Sequence, residues 1–125
     1  IAIQASPLTW SLITVVTREE YRSRPRAVTA RIREAVSAHR AYLAVPGRPR
    51  VGEVHVDAVE GTTLYTAERA VQVRLGRGGM AAKLLRLDRV LAELAQRGTR
   101  PAVIRLDNDR QPKRVTVRLA EAETL

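Results

Sequence analysis

His39 and His55 are the two side chains of this sequence that could bind a metal or move a proton near neutral pH. A metal centre needs three or four His, Cys, Asp or Glu ligands that converge, and there is no cysteine and no H-x-x-x-H or equivalent spacing. Glu53, His55 and Asp57 alternate and would share one strand face, so a weak surface site is conceivable, but a solvated strand face is the favoured account. Nucleophilic catalysis would need an activated Ser, Thr or Cys beside a base; there is no G-x-S-x-G elbow, and no serine follows Ser37. The carboxylates Asp107 and Asp109 stand among Asn108 and Pro112, residues that make turns. Gly76-Arg-Gly-Gly79, ahead of a helical stretch carrying Lys83, could cradle an anion. It lacks the G-x-x-x-x-G-K-[ST] spacing of a phosphate loop, and a plain strand-to-helix connection explains it. No catalytic, cofactor or metal residue is assigned, and neither an enzymatic activity nor a small-molecule substrate is expected.

Charge is the stronger chemical signal. The 125 residues carry 22 Lys and Arg against 13 Asp and Glu, a net charge of +9. Arginines gather at Arg22, Arg24, Arg26, Arg31, Arg33 and Arg40, at Arg48 and Arg50, and again at Arg105, Arg110, Arg114 and Arg118 with Lys113. Clustered cations fit phosphate neutralisation, so a basic nucleic-acid-binding α+β domain is one reading. A single-strand binder also wants aromatic platforms, whereas Trp10, Tyr21, Tyr42 and Tyr65 are scattered. A basic surface that keeps a domain soluble near a membrane is the other reading.

The elements that would carry these residues follow from the pattern. The length and the 45% hydrophobic, 28% charged composition fit one globular domain without staples. No apolar run reaches the ~20 residues that span a bilayer. The chain opens at Ile1 rather than at methionine and is expected to be part of a longer one. Residues 1–16 read as an extended lead-in with one short strand, 17–119 as the core and 120–125 as a tail. Thr17-Arg-Glu-Glu20 has the form of a capping box. Pro25 suits the first turn of a helix running to about Ala44, ended by Pro46-Gly47, with Val28, Ile32, Ala35, Val36 and Tyr42-Leu43 on its apolar face. Val51, Val54 and Val56, then 62–66 and 69–75, read as an antiparallel meander. Met80 to Arg97 is an amphipathic helix closed by Gly98, with Leu84, Leu87, Val90, Leu91 and Leu94 as its stripe. Two strands follow, 102–106 and 114–119, around the turn-rich 107–112. The expected fold is α+β, an antiparallel or mixed sheet with two amphipathic helices packed on one face, in the order α-β-β-β-α-β-β.

The last strand is also a candidate for binding. A terminal strand commonly lies at a sheet edge, where its unpaired N–H and C=O groups accept another chain. Arg114-Val-Thr-Val-Arg-Leu119 is regular and free of proline.

Several of these segments together resemble a known family. Val71-Gln-Val-Arg-Leu-Gly76, Lys83-Leu84 with Leu87, Val90-Leu91 and Leu94, Val103-Ile-Arg-Leu-Asp107 and Val115-Thr-Val-Arg-Leu119 are similar to the C-terminal β-domain of the FtsQ/DivIB bacterial cell-division family. Pro7-Leu8 with Leu12-Ile13-Thr14, then Thr17-Arg-Glu-Glu-Tyr21, resembles the family's Pro-Leu-Ile-Thr-Gly-Leu opening and the helix after it, and Glu53-Val-His-Val56 the next strand. Val15 replaces the opening glycine, and Arg105-Leu-Asp-Asn108 stands where the family has Asp-Leu-Arg-Tyr. The resemblance implies a periplasmic domain of a single-pass inner-membrane protein, a non-enzymatic scaffold that helps regulate septal peptidoglycan synthesis. It implies that the terminal strand receives a β-strand from an FtsB-type partner, itself paired with FtsL. Partner-binding residues would be Arg105, Asp107, Asn108, Arg114, Val115, Thr116, Val117, Arg118 and Leu119, with Arg114, Thr116 and Arg118 outward and Val115, Val117 and Leu119 on the core.

Overall fold

The computed structural model describes residues 22–120 with their side chains and, ahead of them, the backbone of two short strands. These are β1 (Ala2–Gln4) and β2 (Leu12–Thr14), where the sequence led us to expect one. Then come α1 (Pro25–Leu43), β3 (Val51–Asp57), β4 (Gly61–Thr66), β5 (Gln72–Gly76), α2 (Met80–Gln96), β6 (Pro101–Arg105) and β7 (Thr116–Leu119). From α1 onward the order is the expected α-β-β-β-α-β-β. The capping box at 17–20 lies outside the described residues.

The seven strands are ordered β1 to β7 across one mixed sheet. Pairing is antiparallel except for β2 with β3 and β5 with β6, which are parallel. Parallel neighbours need a crossover, and the two helices are those crossovers. Because such connections are right-handed and both advance across the sheet in the same direction, both helices fall on the same face. Their apolar sides meet the sheet in one core in which Val28, Ala35, Val54, Leu64, Val73, Leu75, Leu84, Leu87, Ile104 and Leu106 are buried. Among the described residues no helix or strand covers the other, open face.

Local chemistry sets the boundaries. Pro25 opens α1, and no side chain caps it. The core side of α1 is Val28, Ala35, Ala38, His39 and Tyr42, whereas Leu43, expected inside, is 45% exposed at the last turn. Val51 is out of step with Val54 and Val56 in sequence, yet all three are buried, because a β-bulge between Val51 and Glu53 restores the phase. Strand β5 starts at Gln72 rather than Arg69. Ala70 sits at φ +49° in a turn where its N–H donates to the Thr66 carbonyl and the Val71 N–H to Thr66 Oγ1. At the β3–β4 turn Asp57 accepts the N–H groups of Val59 and Glu60, which holds its carboxyl below the usual range. Gly61 follows at φ +81°, and a Cβ there would lie 2.5 Å from the Gly76 carbonyl, so only glycine lets β4 and β5 approach.

Arg48 joins the two helices. Its guanidinium grips Asp88 of α2 in a two-point pair at 2.8 and 2.9 Å and donates to the carbonyls of Ala41 and Tyr42 at the end of α1. The Asp88 bond raises the Arg48 pKa further. Tyr42, whose hydroxyl donates to the Pro49 carbonyl, is pushed up to about 12 by burial. Arg48 therefore belongs to the fold and not to a basic surface.

His39 is 5% exposed, and its Nε2 has no hydrogen-bond partner. Burial lowers its pKa from the ordinary 6.5, so on acidification the unfolded chain binds a proton first and stability falls. Urea unfolding compared at about pH 7.5 and about pH 5.5 should show a larger loss for the wild type than for His39→Leu.

Candidate functional site

The open face and the β7 edge meet at the β6–β7 hairpin. Strand residues alternate faces, so register decides which side chains become neighbours. The pairs His55–Thr63, Thr63–Arg74, Arg74–Arg105 and Arg105–Thr116 align one row across the open face from β3 to β7. The next row runs Glu53, Tyr65, Gln72, Val103 and Arg118.

Two arginines thus stand directly opposite each other on neighbouring strands, an arrangement that repels unless an anion lies between them. Arg105 is partly compensated: its Nε and Nη2 each reach an Asp107 oxygen at 3.3 Å. Arg74 is not. Its Nε is buried and has no hydrogen-bond partner. Thr63, Arg74, Arg77, Arg105, Asp107 and Asp109 line a depression of about 240 Å³ at this point. A buried donor without an acceptor is costly, and in the depression beside it Arg74, Arg77 and Arg105 face the carboxylates of Glu60, Asp107 and Asp109.

Strand β7 lies at the end of the sheet with β6 as its neighbour. The direction of its amides follows from two bonds. The Leu106 N–H donates to the Arg74 carbonyl at 2.8 Å, so the even residues of β6 turn toward β5 and Val103 and Arg105 turn toward β7. Opposite these stand Arg118 and Thr116, and next in the series the Ala120 N–H donates to the Arg100 carbonyl at 2.8 Å. Thr116 and Arg118 therefore direct their amides inward to β6. Val117 and Leu119 direct theirs to the outer side, where no strand lies among the described residues.

The residues expected to bind a partner are placed differently from one another. Thr116 and Arg118 are exposed on the open face, and Val115 and Val117 are half-buried against the core. Leu119, expected on the core, is 51% exposed, because beyond a register shift it pairs with Pro101 at the open end of the hairpin. Asn108 and Arg114 serve the connecting loop: Asn108 Oδ1 accepts the Gln111 N–H and the Arg114 N–H donates to the Gln111 carbonyl. Arg114 and Val115 precede the strand, which starts at Thr116.

Of two further residues of this region, one carries no signal in the sequence and the other takes a role different from the one its sequence suggests. Arg74 was legible only as the polar half of an alternation, and its position opposite Arg105 needs the parallel register. Lys83, weighed as an anion ligand, is 4% exposed beneath the glycine loop. Its ammonium donates to the carbonyls of Leu75 at 2.7 Å and Arg77 at 3.1 Å and pairs with Asp109 at 3.1 Å. Its donors are engaged, and it ties the start of α2 to the end of β5 and to the β6–β7 loop. No group of three or more His, Cys, Asp or Glu could hold a metal ion among the described residues. Nor is any described helix long and apolar enough to cross a membrane.

The described residues thus form an α+β domain with no element over one sheet face and with β7 at the end of the sheet. Residues 8–118 match the family model described as Cell division protein FtsQ/DivIB, C-terminal, and the chain belongs to that family. It is similar to the Cell division protein FtsQ of Myxococcus fulvus (strain ATCC BAA-855 / HW-1), 37% identical over 111 residues covering 87% of this chain and 38% of the relative. It is 47% identical over 73 residues to that of Anaeromyxobacter sp. (strain K), covering 58% of this chain and 24% of the relative. With that of Geotalea daltonii (strain DSM 22248 / JCM 15807 / FRC-32) it shares 32% over 93 residues, 73% of this chain and 34% of the relative. The chain thus spans less than two fifths of the length of each of these relatives.

Replacing Lys83 by methionine should leave two buried carbonyls and Asp109 without their partner. The expected cost is roughly 1–3 kcal/mol in urea unfolding, with faster amide exchange in the 107–112 loop. An unchanged midpoint and unchanged exchange would contradict the role given to Lys83.

Proposed function

We propose that residues 17–119 form a non-enzymatic interaction domain of a cell-division protein, which binds an FtsB/FtsL-type partner by adding that partner's strand to β7. The carrying observation is the outward direction of the Val117 and Leu119 amides on a terminal strand. Main-chain bonds to that row supply affinity, and side chains alternating toward the two faces supply specificity. The row through Arg74 and Arg105 supports a partner that brings an acidic side chain onto the open face. Family membership supports the rest of the proposal: a whole protein anchored by a single span in the inner membrane, with this domain on the periplasmic side, regulating septal peptidoglycan synthesis. The nucleic-acid alternative has no observation in its favour. Tyr42 is buried, which leaves Tyr65 as the one described aromatic residue on the open face.

Proline substitution tests the edge directly, since proline removes one N–H and is tolerated on the outer side of an edge strand. Leu119→Pro removes an outward amide from an exposed position and should fold with a urea midpoint near wild type while losing partner binding. Thr116→Pro removes an inward amide and should destabilise the hairpin itself. Full binding by a folded Leu119→Pro domain would overturn strand addition at β7. Arg74→Gln should weaken the same complex by about tenfold and flatten its salt dependence, through loss of a charge-assisted bond.

A further inference from the structure

The positive charge is unevenly distributed. Residues 22–50 hold eight arginines and a single carboxylate, Glu34, whose Oε1 faces the Thr62 hydroxyl at 3.5 Å. Three of the arginines, Arg26, Arg33 and Arg40, are exposed and recur at every seventh residue of α1. Seven residues bring an α-helix back to within about 20° of the same line, so these side chains form one ridge, spaced roughly 10 Å apart along the axis. The ridge lies on the side of α1 opposite Val28, Ala35 and Tyr42, which are buried in the core. Ala30 and Ser37, also exposed, lie between the arginines at the same interval, and the exposed C-cap Ala44 continues it beyond Arg40. None of the three arginines has an ion-pair partner among the described residues. The first turn of the helix carries no acidic residue, although negative charge is favoured there.

From this pattern we infer that the outer ridge of α1 is a docking seam for an α-helix of a partner protein with an acidic residue at every seventh position. A helix laid along the ridge sets one carboxylate beside each guanidinium, and the small residues between them let the two backbones come to helix-packing distance, about 8–10 Å. The repeat favours a helix over the other anionic surfaces. A bilayer-lying helix would present large apolar residues on this face, and the ridge has Ala and Ser instead. The same ridge of a second copy would meet it with like charge. The seam lies across the molecule's helical layer and does not rest on the proposal for β7.

The test uses the folded domain and a synthetic four-heptad helical peptide with Glu at every seventh position and Ala four residues later, beside a scrambled peptide of the same composition. The ordered peptide should bind about tenfold more tightly than the scrambled one, with affinity falling steeply as salt is added. Arg33→Glu, at an exposed position, should leave the circular dichroism and urea midpoint unchanged and reduce binding about tenfold. A peptide carrying Lys in place of the central Glu should restore it. Equal binding of the scrambled peptide, indifference to Arg33→Glu or no binding at all would overturn the seam. So would Arg33→Glu-sensitive binding to anionic phospholipid vesicles or a mixed-sequence DNA duplex without binding to the ordered peptide.

Discussion

A β-strand directs its successive amides to alternate sides, so a strand with one neighbour keeps half of its hydrogen-bonding groups in hand. The proposed strand addition follows from that constraint at β7. The inward amides of Thr116 and Arg118 hold the strand to β6, and Val115 and Val117 hold it to the core. The outward amides of Val117 and Leu119 are therefore displayed on a strand that is already fixed in place. An incoming chain would meet a pre-ordered template and would not have to order β7 as it binds.

The charged residues divide by the same logic of satisfied and unsatisfied donors. Arg48 and Lys83 are both nearly buried, and both are surrounded by acceptors from more than one element. They act as internal ties, the first between the helices and the second between α2 and the loop leading into β7. Arg74 is the counterexample, with a buried Nε that meets no acceptor and an arginine opposite it. Sequence composition places all three in one basic total, although only Arg74 is left with a buried donor that has no acceptor.

Much of the fold was legible because period and punctuation agree with packing. Pro25 and Gly98 bound the helices as their backbone preferences require, and the alternation in β5 matches burial. Discrepancies arise where geometry overrides period. The bulge after Val51 shifts the phase of β3, and a side-chain bond from Thr66 holds 69–71, which read as strand, in the turn between β4 and β5. Strand β2 is a three-residue segment stabilised by parallel pairing with β3 across the whole of α1, a long-range contact without a local signature. At the candidate site, the edge position and the outward face of Thr116 and Arg118 could be read from order and alternation. The Arg74–Arg105 juxtaposition and the burial of Lys83 could not, because register and loop closure decide them.

Residue-resolved amide hydrogen exchange on the free domain and on its complex with an FtsB/FtsL-type partner tests the central claim most directly. Strand addition requires the Thr116 and Arg118 amides to be protected in both states, and those of Val117 and Leu119 to exchange rapidly when free and to become protected on binding. Protection of Val117 and Leu119 in the free domain, or rapid exchange at both in the saturated complex, would contradict it.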